Sequence, residues 1–177
     1  APILVLATAV LFGGAVNGPV RWLLLTALLF SAAGDVFLAL DINGGDKFFI
    51  AGLGSFLIGH IFYSLTFLQS VAFHTASLIP IFLICILAIA LAWQIWPNLG
   101  SLKTPVSLYI LVSMVMGISA SVHFPLSWTL IIGSIIFMLS DSVIAVQKFW
   151  RPVPYRDFLV MSSYYLAQFL LFWGLTH

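Results

Sequence analysis

The stretch Gly133-Ser-Ile-Ile-Phe-Met-Leu-Ser140-Asp141-Ser142-Val-Ile-Ala145 lies inside an apolar run from about Leu126 to Val146. That run is long enough to cross a bilayer as one helix. Asp141 sits well within it. A carboxylate there costs about 3 kcal/mol or more unless it is paired, hydrated or protonated, so it is a functional candidate by default. The chain holds one close counterpart, Ser31-Ala-Ala-Gly34-Asp35, in another apolar run.

Working outward, the class follows from composition. Of 177 residues, 63% are hydrophobic and 6% charged, with a mean hydropathy of +1.20. A soluble domain is typically about a quarter charged, so the expectation is an all-α, polytopic transmembrane helix bundle. A net charge of +1 gives no reason to expect nucleic acid as a partner. The one cysteine, Cys85, excludes an intramolecular disulfide and a thiolate metal cluster. No basic segment precedes an apolar core at the start, so no signal-peptide pattern is seen.

Seven apolar runs can be drawn, at roughly 2–16, 20–40, 48–71, 75–96, 105–121, 126–147 and 157–176. Continuous runs rather than alternation exclude a β-barrel. The connections are short and carry the expected breakers, among them Asn17-Gly18-Pro19, Asp41 to Lys47 through Asn43-Gly44-Gly45, and Lys148 to Arg156. No loop holds a soluble domain, so residues 1–177 are expected to form one transmembrane domain. Five of the six cations (Lys47, Lys103, Lys148, Arg151 and Arg156) collect on one face, with Arg21 on the other. By the positive-inside bias that face is cytoplasmic, which puts His177 outside and, with seven spans, Ala1 inside.

Depth follows from the helical rise. Asp35 precedes Asp41, and Asp141 precedes Lys148, by a similar interval, so both lie roughly 10 Å from the cytoplasmic face. Both helices run the same way, so both side chains tilt toward the membrane middle. Other polar groups reach this level. Gly52, Phe56, Gly59, His60, Tyr63 and Phe67 share a face of the third run, and the two glycines would thin that helix and leave room for a lipid chain. Tyr109 lies one turn into the fifth run. Tyr164, Tyr165 and Gln168 form a stripe on the seventh. The residues converge on one cleft in the cytoplasmic half. The bland alternatives are hydrogen-bonded structural aspartates, a satisfied core histidine, packing aromatics, and loop cations that only set topology.

Two carboxyls near each other in low dielectric cannot both ionise cheaply, so one keeps a proton while the other activates water. That division suits an acid-labile bond broken through an oxocarbenium-like state, as in glycoside hydrolysis. A vinyl ether is such a bond. No Gly-x-Ser-x-Gly elbow or His-Glu-x-x-His motif is present. Asp35, His60 and Asp141 would be an unusual zinc set, so neither metal nor cofactor is expected. A metal-dependent lipid hydrolase, a transporter or lipid-binding protein using the aspartates as proton relay or counter-ion, and a ligand-free scaffold remain as alternatives.

The ordered set Ser31-x-x-Gly34-Asp35, Gly52-Leu53-x-x-Phe56-Leu57-x-x-His60-x-x-Tyr63, Gly133-x-x-x-Phe137-x-x-Ser140-Asp141-Ser142 and Tyr164-Tyr165-x-x-Gln168 resembles the YhhN/TMEM86 family of membrane lysoplasmalogenases. The resemblance runs from near residue 1 to the C-terminus. It implies hydrolysis of the vinyl ether of lysoplasmalogen to a fatty aldehyde and glycerophosphoethanolamine or glycerophosphocholine. It also implies Asp35 and Asp141 as the catalytic pair. Ser31, His60, Tyr63, Tyr109, Ser140, Tyr164, Tyr165 and Gln168 are the expected substrate-binding positions. Lys148, Arg151 and Arg156 are expected near the headgroup. The expected partners are a lysophospholipid and the bilayer, in the inner membrane if the source is bacterial. The family pattern has eight helices, and the missing one would precede Ala1.

Overall fold

The computed structural model describes residues 2–14, 16–41 and 46–177. Ala1, and the Asn43-Gly44-Gly45 part of the expected turn, lie outside the described residues. Among the described residues seven α-helices follow one another: α1 Pro2–Phe12, α2 Gly18–Ala39, α3 Asp46–Phe67, α4 Leu78–Ile95, α5 Lys103–Ser121, α6 Trp128–Phe149 and α7 Arg156–Thr176. Single 3-10 turns flank α4 and lead into α5. In an apolar medium a helix satisfies its own backbone, which is why continuous apolar runs take this form. The starts carry local signals. Asn17 and Pro19 open α2, and Ser127 caps α6 by accepting a hydrogen bond from the Leu130 amide.

Among the described residues, six helices, not seven, are long and apolar enough to span a bilayer. The expectation of a spanning first run is therefore corrected. Its helix α1 has 11 residues, about 16 Å of rise against a hydrocarbon core of about 30 Å. Ile3, Ala7 and Val10, one face of α1, are buried against its neighbours α2 and α7.

The six long helices alternate in direction. One end of the bundle joins the start of α3 to the end of α6, where Asp46 and Lys148 are 3.4 Å apart and the Phe49 and Phe149 rings meet edge to face at 5.7 Å. The other end is tied where the Phe124 amide donates to the Ser70 carbonyl at 3.0 Å.

Close helix pairing rests on glycines, as expected where lipid supplies no hydrophobic drive between helices. A methyl added at Gly117 would lie 3.0 Å from Ile84, closing α5 on α4. One at Gly174 would lie 2.8 Å from Leu130, closing α7 on α6. Gly52 and Gly59 of α3 do the same rather than leave space for lipid. A methyl at Gly52 would meet Leu38 at 2.9 Å, and one at Gly59 would meet the Ser31 hydroxyl at 3.2 Å and the Ala27 carbonyl at 3.3 Å. Helix α2 already fills the groove they make.

Candidate active site

Asp141 is presented by α6 toward α3 and α5. The Tyr109 hydroxyl donates to Asp141 Oδ2 at 2.6 Å, and His60 Nε2 lies 3.5 Å from the same oxygen. The His60 ring is buried and fixed by Nδ1, which donates to the Phe56 carbonyl one turn earlier at 2.6 Å. Rings hold it on both sides, with Tyr109 at 5.3 Å and Phe137 at 4.6 Å, centroid to centroid. The i, i+4 spacing of Phe56 and His60 on α3 produces this arrangement.

Asp35, on α2, faces α7. Tyr164 stands beside it, in electrostatic contact with the carboxyl, and the Tyr164 Oη is buried without a formed hydrogen bond. Tyr165 is half-buried and stacks obliquely on Tyr164 at 5.4 Å. Asp35 and Asp141 line the same cavity, between α2, α6 and α7, with about 820 Å³ of empty space. Ser140 and Tyr164 share its wall, and Arg156 and Asp157 form its rim. Arg156 donates to Asp157 at 2.6 Å, and its buried Nε has no partner.

A second cavity meets Asp141 from the other side. It is narrow and apolar, lies between α3, α4, α5 and α6, and contains about 650 Å³ of empty space. Leu38, Phe56, Asp141 and Ile144 belong to the walls of both cavities. The Phe56 ring sits against Gly34, where an added methyl would lie 2.7 Å from it. Phe56 also meets Phe137 and Tyr164 edge to face.

Of the other expected positions, Ser31 is buried in the α2–α3 seam against Gly59. The Tyr63 hydroxyl donates to Gln168 Oε1, which clasps α3 to α7 inside the bundle. Ser140 reaches from α6 to the Val160 carbonyl of α7 at 3.2 Å. His60 stands behind Asp141 and lines neither cavity. Lys148 is engaged by Asp46 and lies over the Phe49 ring, while Arg151 stacks on Trp150 at 4.1 Å. Of the three cations expected near a headgroup, Arg156 is the one on the polar cavity. Among the described residues, no group of three His, Cys, Asp or Glu side chains gathers as a metal site would require. Two features escaped sequence reasoning. Asp157, at the start of the seventh run, has no role in the sequence reading and is found on the cavity wall beside Arg156. Phe137, a position of the resemblance motif given no role in the sequence reading, touches His60, Phe56, Tyr63 and Tyr164.

Bilayer-length helices around an internal site of carboxyls, an imidazole and phenols define a polytopic integral membrane protein with a polar cavity buried in its bundle. The chain belongs to the YhhN family, whose model matches residues 1–175. It is 35% identical to lysoplasmalogenase TMEM86A of Homo sapiens over 154 residues, 81% of this chain and 61% of the relative. It is 33% identical to a lysoplasmalogenase of Mycobacterium tuberculosis over 135 residues, 73% of this chain and 50% of the relative. With lysoplasmalogenase TMEM86B of Mus musculus it shares 32% identity over 180 residues, 96% of this chain and 70% of the relative. The chain spans about three-fifths of the length of the TMEM86A relatives. No solved structure matches it.

Proposed function

We propose that this protein is a membrane-embedded ether hydrolase that cleaves the vinyl ether of a lysoplasmalogen. The products are a fatty aldehyde and glycerophosphoethanolamine or glycerophosphocholine. The observation that carries the reading is the shared cavity of Asp35 and Asp141, from two helices far apart in sequence, with an arginine at its rim. Membership of a family whose relatives bear the name lysoplasmalogenase supports it. Two carboxyls on one cavity can divide the labour of acid and base. Arg156 suits a phosphate, since its guanidinium forks toward oxygen pairs and one buried N–H is unused. The bilayer supplies the substrate sideways, and in a bacterium the membrane would be the cell membrane.

The test is release of aldehyde from a purified lysoplasmalogen by the protein in detergent, with chelator present and absent. Aldehyde in both arms is the expected result. Release abolished by chelator and restored by zinc would replace this reading with a metal-dependent hydrolase. No release, together with proton-coupled lipid movement in vesicles, would favour a transporter.

A further inference from the structure

From the two cavities that meet at Asp141, we infer that the hydrocarbon chain of the substrate occupies the apolar one and its glycerophosphate the polar one. This assigns the chemical roles of the two aspartates. The inference rests on the reading of the protein as a vinyl ether hydrolase.

The two compartments differ in chemistry. The apolar one is walled by side chains such as Phe49, Leu53, Leu91, Ile110, Met138 and Ala145. Met138 and Phe149 mark its extent along α6, roughly 16 Å of helical rise. Its polar lining residues are Tyr109, Ser113, Asp141 and Ser142, and Ser142 is spent on the Met138 carbonyl at 2.7 Å. The polar compartment holds Asp35, Tyr164, Arg156 and Asp157. A single-chain phospholipid has the same division, with one hydrocarbon tail, an ether linkage and an anionic headgroup. Laid across Leu38, Phe56 and Ile144, it puts the linkage at Asp141, the one titratable residue on both walls.

The order of atoms then decides the chemistry. In the linkage R–CH=CH–O–R′, the β-carbon lies on the chain side and the ether oxygen on the headgroup side. Asp141, which reaches the chain compartment, delivers a proton to the β-carbon. The C=C π pair forms the new C–H bond, and an oxocarbenium ion remains at the α-carbon. Water enters from the polar compartment and adds to the α-carbon while Asp35 takes its proton. The hemiacetal then collapses. Its O–H proton returns to Asp141, the C–O bond to glycerol breaks, and Asp35 gives its proton to the departing oxygen. Both carboxyls are restored, and the sum is vinyl ether plus water to aldehyde plus alcohol.

The experiment measures binding rather than turnover, using saturated 1-alkyl ether lysophosphatidylethanolamines with octyl and octadecyl chains. These probes have no vinyl bond to cleave. Ala88, from α4, and Leu91, one turn on, line the apolar compartment. Ala88→Phe fills it and should weaken octadecyl binding at least tenfold more than octyl binding. Leu91→Ala enlarges it and should improve binding of a methyl-branched octadecyl probe at least threefold relative to the linear one. If Ala88→Phe does not fold, Leu91→Ala decides alone. Equal effects on all probes would overturn the chain compartment, even if the protein releases aldehyde. Shifted selectivity without aldehyde release would uphold the compartment and defeat the reaction assigned to it.

Discussion

His60 Nε2 faces Asp141 Oδ2 at 3.5 Å while His60 Nδ1 is committed to the Phe56 carbonyl at 2.6 Å. A carbonyl only accepts, so Nδ1 carries the hydrogen. In a neutral ring Nε2 would then turn a lone pair toward a carboxylate. The Tyr109 hydroxyl donates to the same oxygen. Because His60 lines neither cavity, it is expected to act through Asp141 as a positioning residue. His60→Ala should lower kcat by about 10²-fold with little change in KM, and His60→Gln should recover part of the loss. Steady-state kinetics decide it, and an effect confined to KM would mean that His60 contacts substrate instead.

Asp35→Asn and Asp141→Asn should each reduce turnover by roughly 10²–10⁴-fold, the usual contribution of a general acid or base. The double variant should lose far less than the product of the two factors, since paired groups act as a unit. Size-exclusion profiles in detergent should match wild type. Either single variant retaining near-normal activity would end the two-carboxylate mechanism.

The division of roles has its own signature. If the roles fall as proposed, removing Asp35 should leave proton delivery intact and slow capture of the cation. Azide, a small nucleophile that needs no base, should therefore raise substrate consumption by Asp35→Ala several-fold. It should do nothing for Asp141→Ala, whose defect falls before the cation forms. Rescue of Asp141→Ala alone would reverse the assignment.

Gly34 lets the Phe56 ring lie flat on α2 next to Asp35. Gly34→Ala puts a methyl 2.7 Å from that ring, and the ring is edge to face with Phe137 and Tyr164. Forcing it aside should cost about 1–3 kcal/mol, as other overpacked cores do, and lower the thermal midpoint in detergent. Phe56→Leu in the same background should restore part of the loss. Unchanged stability in Gly34→Ala would show that the ring moves freely.

The end of the bundle carrying Lys47, Lys103, Lys148, Arg151 and Arg156 should face the cytoplasm. With Cys85 replaced, a cysteine in the Lys148–Arg156 loop should resist membrane-impermeant thiol reagents in intact cells, and one beside His177 should react. The opposite pattern would turn the polar cavity to the outer leaflet.

Much of the bundle was legible because apolar length is a direct physical demand of the bilayer. Each long run became a helix within a few residues of its expected limits. The first run misled because apolarity alone does not make a span, and α1 ends at Phe12, short of the required rise. For the candidate site, equal depth and shared tilt foresaw that Asp35 and Asp141 would face one cavity. Partnership was not legible. Tyr109 and Asp141 are 32 residues apart in the chain, and nothing in their local spacing singles out that pair. The α3 glycines were misread for a similar reason. A missing side chain marks close approach, but only coordinates show whether a helix or a void does the approaching.

In the proposed reaction, the wall shared by Leu38, Phe56 and Ile144 would govern how the products of cleavage part. Once the C–O bond is cut, the two fragments would lie on opposite sides of that wall. The aldehyde would stay among the aliphatic side chains of one cavity. The glycerophospho fragment would lie beside Arg156 in the other. Neither would have to pass the other to leave. Recombination would be disfavoured by separation alone, and a fresh lipid could enter one side while the last headgroup is still leaving the other.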